Sequence, residues 1–294
     1  MRDQVTSTHA HSGETFHLCG WPSPVPTDTV LVVHHGLGEH SGRYDTLARQ
    51  LETLPAHIWS FDLRGHGRST GKRGHADGLE QLADDFTALI PVLMERAGAS
   101  KLVIYGHSLG AAAVGWTLTT RPAPPALTAL MLSAPPVFIA KNLGMRVKAI
   151  AGRVLVKLSP SLTLGNEIPL TAISSDPSEV ERYRTDPRVH DKLSVRLGLS
   201  LLDDAPKIVE RAARITAPTL LWHGTDDPII DIRGTRALFA GLGSSDKALF
   251  ELAGYRHEAH HERPDLAAKL FERVRAWLEP RVAPSGAEPR SAAT

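Results

Sequence analysis

The chain has 294 residues, 42% of them hydrophobic, with 33 basic against 32 acidic side chains for a formal net charge of +1. That length suits one large α/β domain or two small ones. The balanced charge, with no basic run interleaved with aromatics, argues against a nucleic-acid partner. A single cysteine, Cys19, rules out an internal disulfide and fits a reducing compartment.

Read from the N-terminus, residues 1–15 are polar and His-rich, without the apolar run of a signal peptide, so the expected location is the cytoplasm. No stretch approaches the roughly 18 apolar residues of a membrane span. Short β-branched runs predict strands at 29–34, 57–61, 102–105, 129–132, 219–222 and 248–252. Longer amphipathic segments predict helices at 79–96, 108–119, 232–242 and 265–278, the last starting just after Pro264. This alternation predicts a mostly parallel central sheet with helices on both faces. Between 138 and 214 the rhythm breaks. That stretch shows no clear strand and several proline turns, and reads as a helical cap inserted between two core strands. The domain is expected to span 1–278, and the Pro-, Ala-, Ser- and Arg-rich tail at 279–294 reads as disordered.

Chemistry gathers where the strands end, the edge at which open α/β sheets bind ligands. Gly106-His107-Ser108-Leu109-Gly110 lies between a buried-type strand and an Ala-rich helix start, the context of a nucleophile elbow. A serine hydroxyl needs a base, and the base needs an orienting acid. After an elbow these follow in the chain order acid, then histidine. His257, behind the last strand and Gly254, is the expected base. In Gly224-Thr225-Asp226-Asp227 the Gly-x-x-Asp spacing picks Asp227 as the acid, with Asp226 as the competing candidate. Oxyanion donors are expected at the backbone N–H groups of Leu109 and of Leu37, in His35-Gly36-Leu37-Gly38. His257-Glu258-Ala259-His260-His261 matches His-Glu-x-x-His, but it starts in a loop and meets Pro264 three residues later, so no metal site is expected.

Several segments together resemble the monoacylglycerol lipase family of serine α/β-hydrolases. They are His35 to Tyr44, Asp62-Leu63-Arg64-Gly65-His66-Gly67-Arg68-Ser69, the elbow, and Tyr183 to His190 in the insert. The resemblance departs at Leu109 and Ala111, where the family commonly has Met and Gly, and covers about residues 10 to 280. It implies an α/β-hydrolase fold and hydrolysis of a monoacylglycerol to fatty acid and glycerol through an acyl-serine at Ser108. It also implies that the insert is a lid forming an apolar acyl tunnel. No metal or organic cofactor is required. Rival readings are a lysophospholipase, a short-acyl carboxylesterase or an acyltransferase, and from another class a non-catalytic ligand-binding receptor. In the insert, Leu143, Val147, Ile150, Val154 and Leu158 share one helical face, with Lys141, Arg146, Lys148, Arg153 and Lys157 off it. Leu143, Val147, Ile150 and Val154 are therefore candidate substrate-binding residues. The same basic amphipathic pattern suits either peripheral contact with an anionic lipid surface or a cap helix packed on the core.

Overall fold

The computed structural model describes residues 3–138 and 143–283, the side chains of the second span from Ile150 onward. In chain order the elements are β1 (Val5–His11), β2 (Glu14–Trp21), β3 (Thr29–His34), α1 (Asp45–Gln50), β4 (His57–Phe61), α2 (Leu79–Ala97), β5 (Lys101–His107), α3 (Leu109–Thr120) and β6 (Leu127–Ser133). The insert carries α4 (Leu143–Leu158), β7 (Thr163–Gly165), α5 (Pro177–Thr185), β8 (Lys192–Ser194), α6 (Val195–Asp203) and α7 (Ala205–Glu210). The chain returns through β9 (Thr219–Gly224), α8 (Ile232–Gly241), β10 (Lys247–Leu252) and α9 (Pro264–Val282).

Eight strands form one sheet in the order β1-β2-β4-β3-β5-β6-β9-β10, antiparallel at the first two junctions and parallel thereafter. The six expected strands are its parallel part. All six residues of β3 are buried, as a strand covered on both faces requires. Alternate side chains serve opposite layers. Val30, Val32 and Ile104 pack with Leu82 and Phe86 of α2 and Val114 of α3. Leu31, Val33 and Tyr105 pack with Leu47 of α1 and Leu270 and Phe271 of α9. Each such fully buried large side chain contributes about 1.5–3 kcal/mol.

The hairpin β1–β2 falls outside the expected strands, because its first strand is polar and half exposed. Its signal is the turn: Ser12 and Gly13 both take positive φ, 50° and 79°, as a two-residue hairpin turn demands. Two expectations are corrected in the insert and tail. The insert does contain strands: β7 and β8 pair antiparallel over three residues, a ladder too short and too far apart in sequence to show periodicity. Residues 279–282, expected to be disordered, continue α9, since Leu278 and Val282 are buried on the sheet. Residues 284–294 lie outside the described span. Leu197, Leu201, Ala205 and Ile208 join the core cluster, so α6 and α7 pack with the main helical layer.

Helix α4 forms where its periodicity predicts, with a different inward side. Ile150, Val154 and Leu158 are 65%, 60% and 79% exposed, so the described part of the apolar stripe is not packed on the core. On another side the helix meets α6, with Gly152 lying against Val195 and Leu199. Lys141 and the side chains of Leu143, Val147, Arg146 and Lys148 lie outside what is described. Among the described residues, Val5 and Val25 are the only large exposed hydrophobics outside 138–170.

Candidate active site

β3 has β4 on one side and β5 on the other, so the chain changes winding direction there and the loops after β3 and β5 face each other across a crevice. Ser108, between β5 and α3, sits at φ 50° and ψ −120°, a strained conformation for a residue with a side chain. The two elbow glycines are sterically required. A Cβ at Gly110 would lie 2.0 Å from the His34 carbonyl oxygen, and one at Gly106 would lie 2.8 Å from Ala111 Cα. The Ser108 N–H donates to the Ser133 carbonyl at 2.9 Å, which ties the elbow to the end of β6.

The structure brings Ser108, His257 and Asp227 together from three strand ends. His257 Nε2 is 2.9 Å from Ser108 Oγ, and Nδ1 is 2.7 Å from Asp227 Oδ2. Asp226 points away: it is exposed and accepts from the Thr225 hydroxyl. Asp227 Oδ1 accepts the N–H groups of Ile229 and Ile230. Burial would depress the His257 pKa, but the Asp227 carboxylate, with Glu258 and Glu39 adding to it, raises it above the ordinary value. Burial likewise opposes ionisation of Asp227, and is outweighed by His257 and the hydrogen bonds from His223 and His257, which hold the carboxyl well below the usual range. His107, with its ring centroid 4.9 Å from that of His257, is pushed by burial down to about 3 and stays neutral. Such a chain can take the proton of a serine hydroxyl and stabilise the resulting imidazolium.

The loop after β3 lies against the elbow: a Cβ on Gly36 would be 3.2 Å from Ser108 Cβ. This brings the Leu37 segment beside Leu109, the first residue of α3. Three buried side chains hold the loop. The Gly36 N–H donates to Glu39 Oε1 at 2.6 Å, and the Tyr44 hydroxyl donates to the same oxygen. His35 Nε2 accepts the Leu63 N–H at 2.9 Å, so Nδ1 carries the hydrogen and donates to the Gly36 carbonyl. Asp62 accepts from Ser41 and from the Arg68 N–H, so the two signature segments brace each other. On the insert side, the His190 N–H donates to the Gly38 carbonyl, and His40 Nε2 meets Asp186 at 3.0 Å. There a cavity of about 250 Å³ opens, with walls both polar (Tyr183, His190, Asp191) and apolar (Leu170, Ile173).

Glu39, Arg43 and Glu258 have no role that their local sequence pattern reveals. Arg43 bridges Glu39 at 3.0 Å and Glu258 at 2.9 and 2.6 Å, joining the loop after β3 to the residue next to His257. Burial opposes both carboxylates, yet Arg43 keeps each ionised, Glu258 the more strongly. The side chains of Glu258, His260 and His261 converge within 4.8 Å. The Arg43 guanidinium occupies that corner, also reaching His261 Nδ1 at 3.2 Å, and its fixed charge disfavours a metal ion. The His-Glu-x-x-His segment forms only a single tight turn at Ala259–His261, so its first and last histidines serve different partners.

The chain is similar to known hydrolases in sequence and in fold. The family model described as serine aminopeptidase, S33, matches residues 25–264. Monoacylglycerol lipase of Mycolicibacterium smegmatis is 33% identical over 259 residues, 88% of this chain and 90% of that protein. The crystal structure of the Paleococcus ferrophilus monoacylglycerol lipase superposes with a TM-score of 0.80 at 32% identity, covering 90% of this chain and 99% of that one. A soluble variant of the Saccharomyces cerevisiae monoglyceride lipase, solved with a substrate analog, gives 0.86 at 21% identity over 97% of each chain, a likeness of fold. The architecture is the α/β-hydrolase fold.

Proposed function

Because the chain belongs to the serine aminopeptidase S33 family of serine hydrolases, we propose that it is a monoacylglycerol lipase, releasing fatty acid and glycerol through an acyl-serine at Ser108. The observation that carries the chemistry is the hydrogen-bonded chain Ser108–His257–Asp227 at the open edge of the sheet. Ser108 Oγ attacks the ester carbonyl carbon while His257 Nε2 takes its proton, and Asp227 holds the imidazolium. The backbone N–H groups of Leu37 and Leu109 receive the oxyanion. Collapse breaks the bond to the glycerol oxygen, which takes the proton from His257. Water then repeats the sequence on the acyl-serine and releases the fatty acid.

The substrate class is supported by the 33% identity that extends over 90% of the M. smegmatis monoacylglycerol lipase. In this reading residues 138–214 act as the cap, and the protein works in the cytoplasm with peripheral contact to lipid. Among the described residues no helix is long and apolar enough to cross a membrane. Support for surface contact comes from the exposed Ile150, Val154, Leu158 and Leu164, with the basic Lys157 among them.

The test is a panel of specificity constants: monoacylglycerols of rising chain length, a triacylglycerol, a lysophospholipid and a short aryl ester, with Ser108→Ala as blank. Preference for monoacylglycerols is the expected outcome. Preference for the aryl ester, with monoacylglycerols poor, would make the protein a general esterase. For the surface contact, co-sedimentation with anionic vesicles should fall in Leu158→Asp/Leu164→Asp while aryl-ester turnover is unchanged. Equal sedimentation of variant and wild type would remove the lipid-contact reading.

A further inference from the structure

His223, near the end of β9, is a fully buried titratable side chain that the scheme above does not use. Its Nε2 lies 3.1 Å from Asp227 Oδ2 and 3.2 Å from the Ile230 carbonyl oxygen. Its Nδ1 lies 2.6 Å from the hydroxyl of Thr235, a buried residue of α8. With acceptors alone facing Nε2, that nitrogen carries the hydrogen, and in the neutral ring the Thr235 hydroxyl donates to Nδ1. Oδ2 of Asp227 is thus shared between two histidines, His257 at 2.7 Å and His223 at 3.1 Å. The remaining oxygen is taken by two backbone N–H groups. Two backbone N–H groups and two histidine N–H groups thus face the carboxylate, His223 dividing its single hydrogen between Oδ2 and the Ile230 carbonyl.

We propose that His223 is a positioning residue, which pins the Asp227 carboxylate in the orientation His257 needs and tempers the charge His257 feels, with Thr235 holding it in the donating tautomer. The role rests on the Ser108–His257–Asp227 reading. Each donor to a carboxylate disperses its negative charge, so removing one leaves more charge on the oxygen facing His257 Nδ1 and raises the proton affinity of that imidazole. It also frees the carboxylate to rotate. The other groups in the field of His257 are Glu39, Glu258 and the ring of His107. On the far side, Asp231 and Glu251 face His223. All of these remain in place in the variants below.

The experiment follows the rate of covalent labelling of Ser108 by a fluorophosphonate against pH, which needs no assumption about the natural substrate. Full-length wild type, His223→Phe, His223→Gln and Thr235→Val are compared, each checked for folding by circular dichroism. In His223→Phe the acid limb should move up by roughly half to one pH unit, with a lower plateau. In His223→Gln, whose amide can still donate to Asp227, the limb should stay with the wild type. Thr235→Val, which loses the tautomer lock, should shift in between. A folded His223→Phe with an unmoved limb overturns the proposal, as does a shift in His223→Gln equal to that in His223→Phe. If His223→Phe does not fold, an unmoved limb in Thr235→Val overturns it. Wild type that is not labelled at Ser108 would refute the proposed function itself. Labelled wild type with no shift in the variants refutes only the role of His223.

Discussion

Gly224 closes β9 immediately before the loop that carries Asp227, and Tyr255 and Arg256, the residues just before His257, cross directly over it. A Cβ there would lie 2.2 Å from the Tyr255 carbonyl oxygen and 2.4 Å from that of Arg256. Ordinary carbon–oxygen contact begins near 3.4 Å, so Gly224→Ala must drive the two segments apart by roughly 1.2 Å. The obstacle is backbone on both sides, and no rotamer change relieves it. The displaced residues lead straight into His257, whose 2.7 Å bond to Asp227 is the shortest link of the chain to Ser108 and the first to be lost. Misplacement of about 1 Å at such a centre costs on the order of 100-fold in rate, and overpacking destabilises by about 1–3 kcal/mol. The assay is kcat/KM on a monoacylglycerol together with a thermal melt, using Gly98→Ala as control. Gly98 also needs its glycine, at φ 62° in the cap of α2, but has no neighbour within 4 Å of a Cβ. The control should lose about 1 kcal/mol of stability and no activity. Gly224→Ala within threefold of wild-type kcat/KM would refute the reasoning.

The pH dependence follows from the raised pKa of His257. The base must be neutral to act, so activity should fall as pH drops through a value above the ordinary 6.5; a profile flat from pH 5 to 8 would refute the assignment. For stability the sign reverses: a raised histidine pKa stabilises the fold at low pH, and that part is lost as pH rises through it. The lowered pKa of Asp227 stabilises above its unfolded value and is lost as pH falls, so the pair contributes most between the two. Arg43→Met leaves Glu39 and Glu258 buried without their cation and should cost about 3–5 kcal/mol by denaturant titration. Adding Glu258→Gln should recover part of that loss, and a double variant no more stable than Arg43→Met would count against the bridge.

Local patterns made the parallel part of the sheet and the order of Ser108, Asp227 and His257 readable. A buried strand needs an unbroken apolar run, an elbow needs small residues at positions 106 and 110, and both constraints act within a few residues. The Gly-x-x-Asp spacing pointed to Asp227 over Asp226, and it is Asp227 whose carboxylate lies 2.7 Å from His257. The hairpin β1–β2 escaped because a polar edge strand has no apolar signature, its only local sign being Ser12-Gly13.

Other features depend on which distant segments meet. The bridge from Arg43 to Glu258 spans 215 residues of sequence, and His223, though only four residues from Asp227, gains Thr235 only because α8 packs alongside β9. Neither has a sequence period, since a buried ion pair is specified by the cavity that forms around it. Helix α4 shows the same division. Its apolar stripe can be counted along the chain, but whether Ile150, Val154 and Leu158 face the core or the solvent depends on which side meets α6. The side that carries Gly152 meets α6, and Ile150, Val154 and Leu158 are left exposed. Periodicity sets which residues share a face, and only the packing of whole elements sets what that face meets.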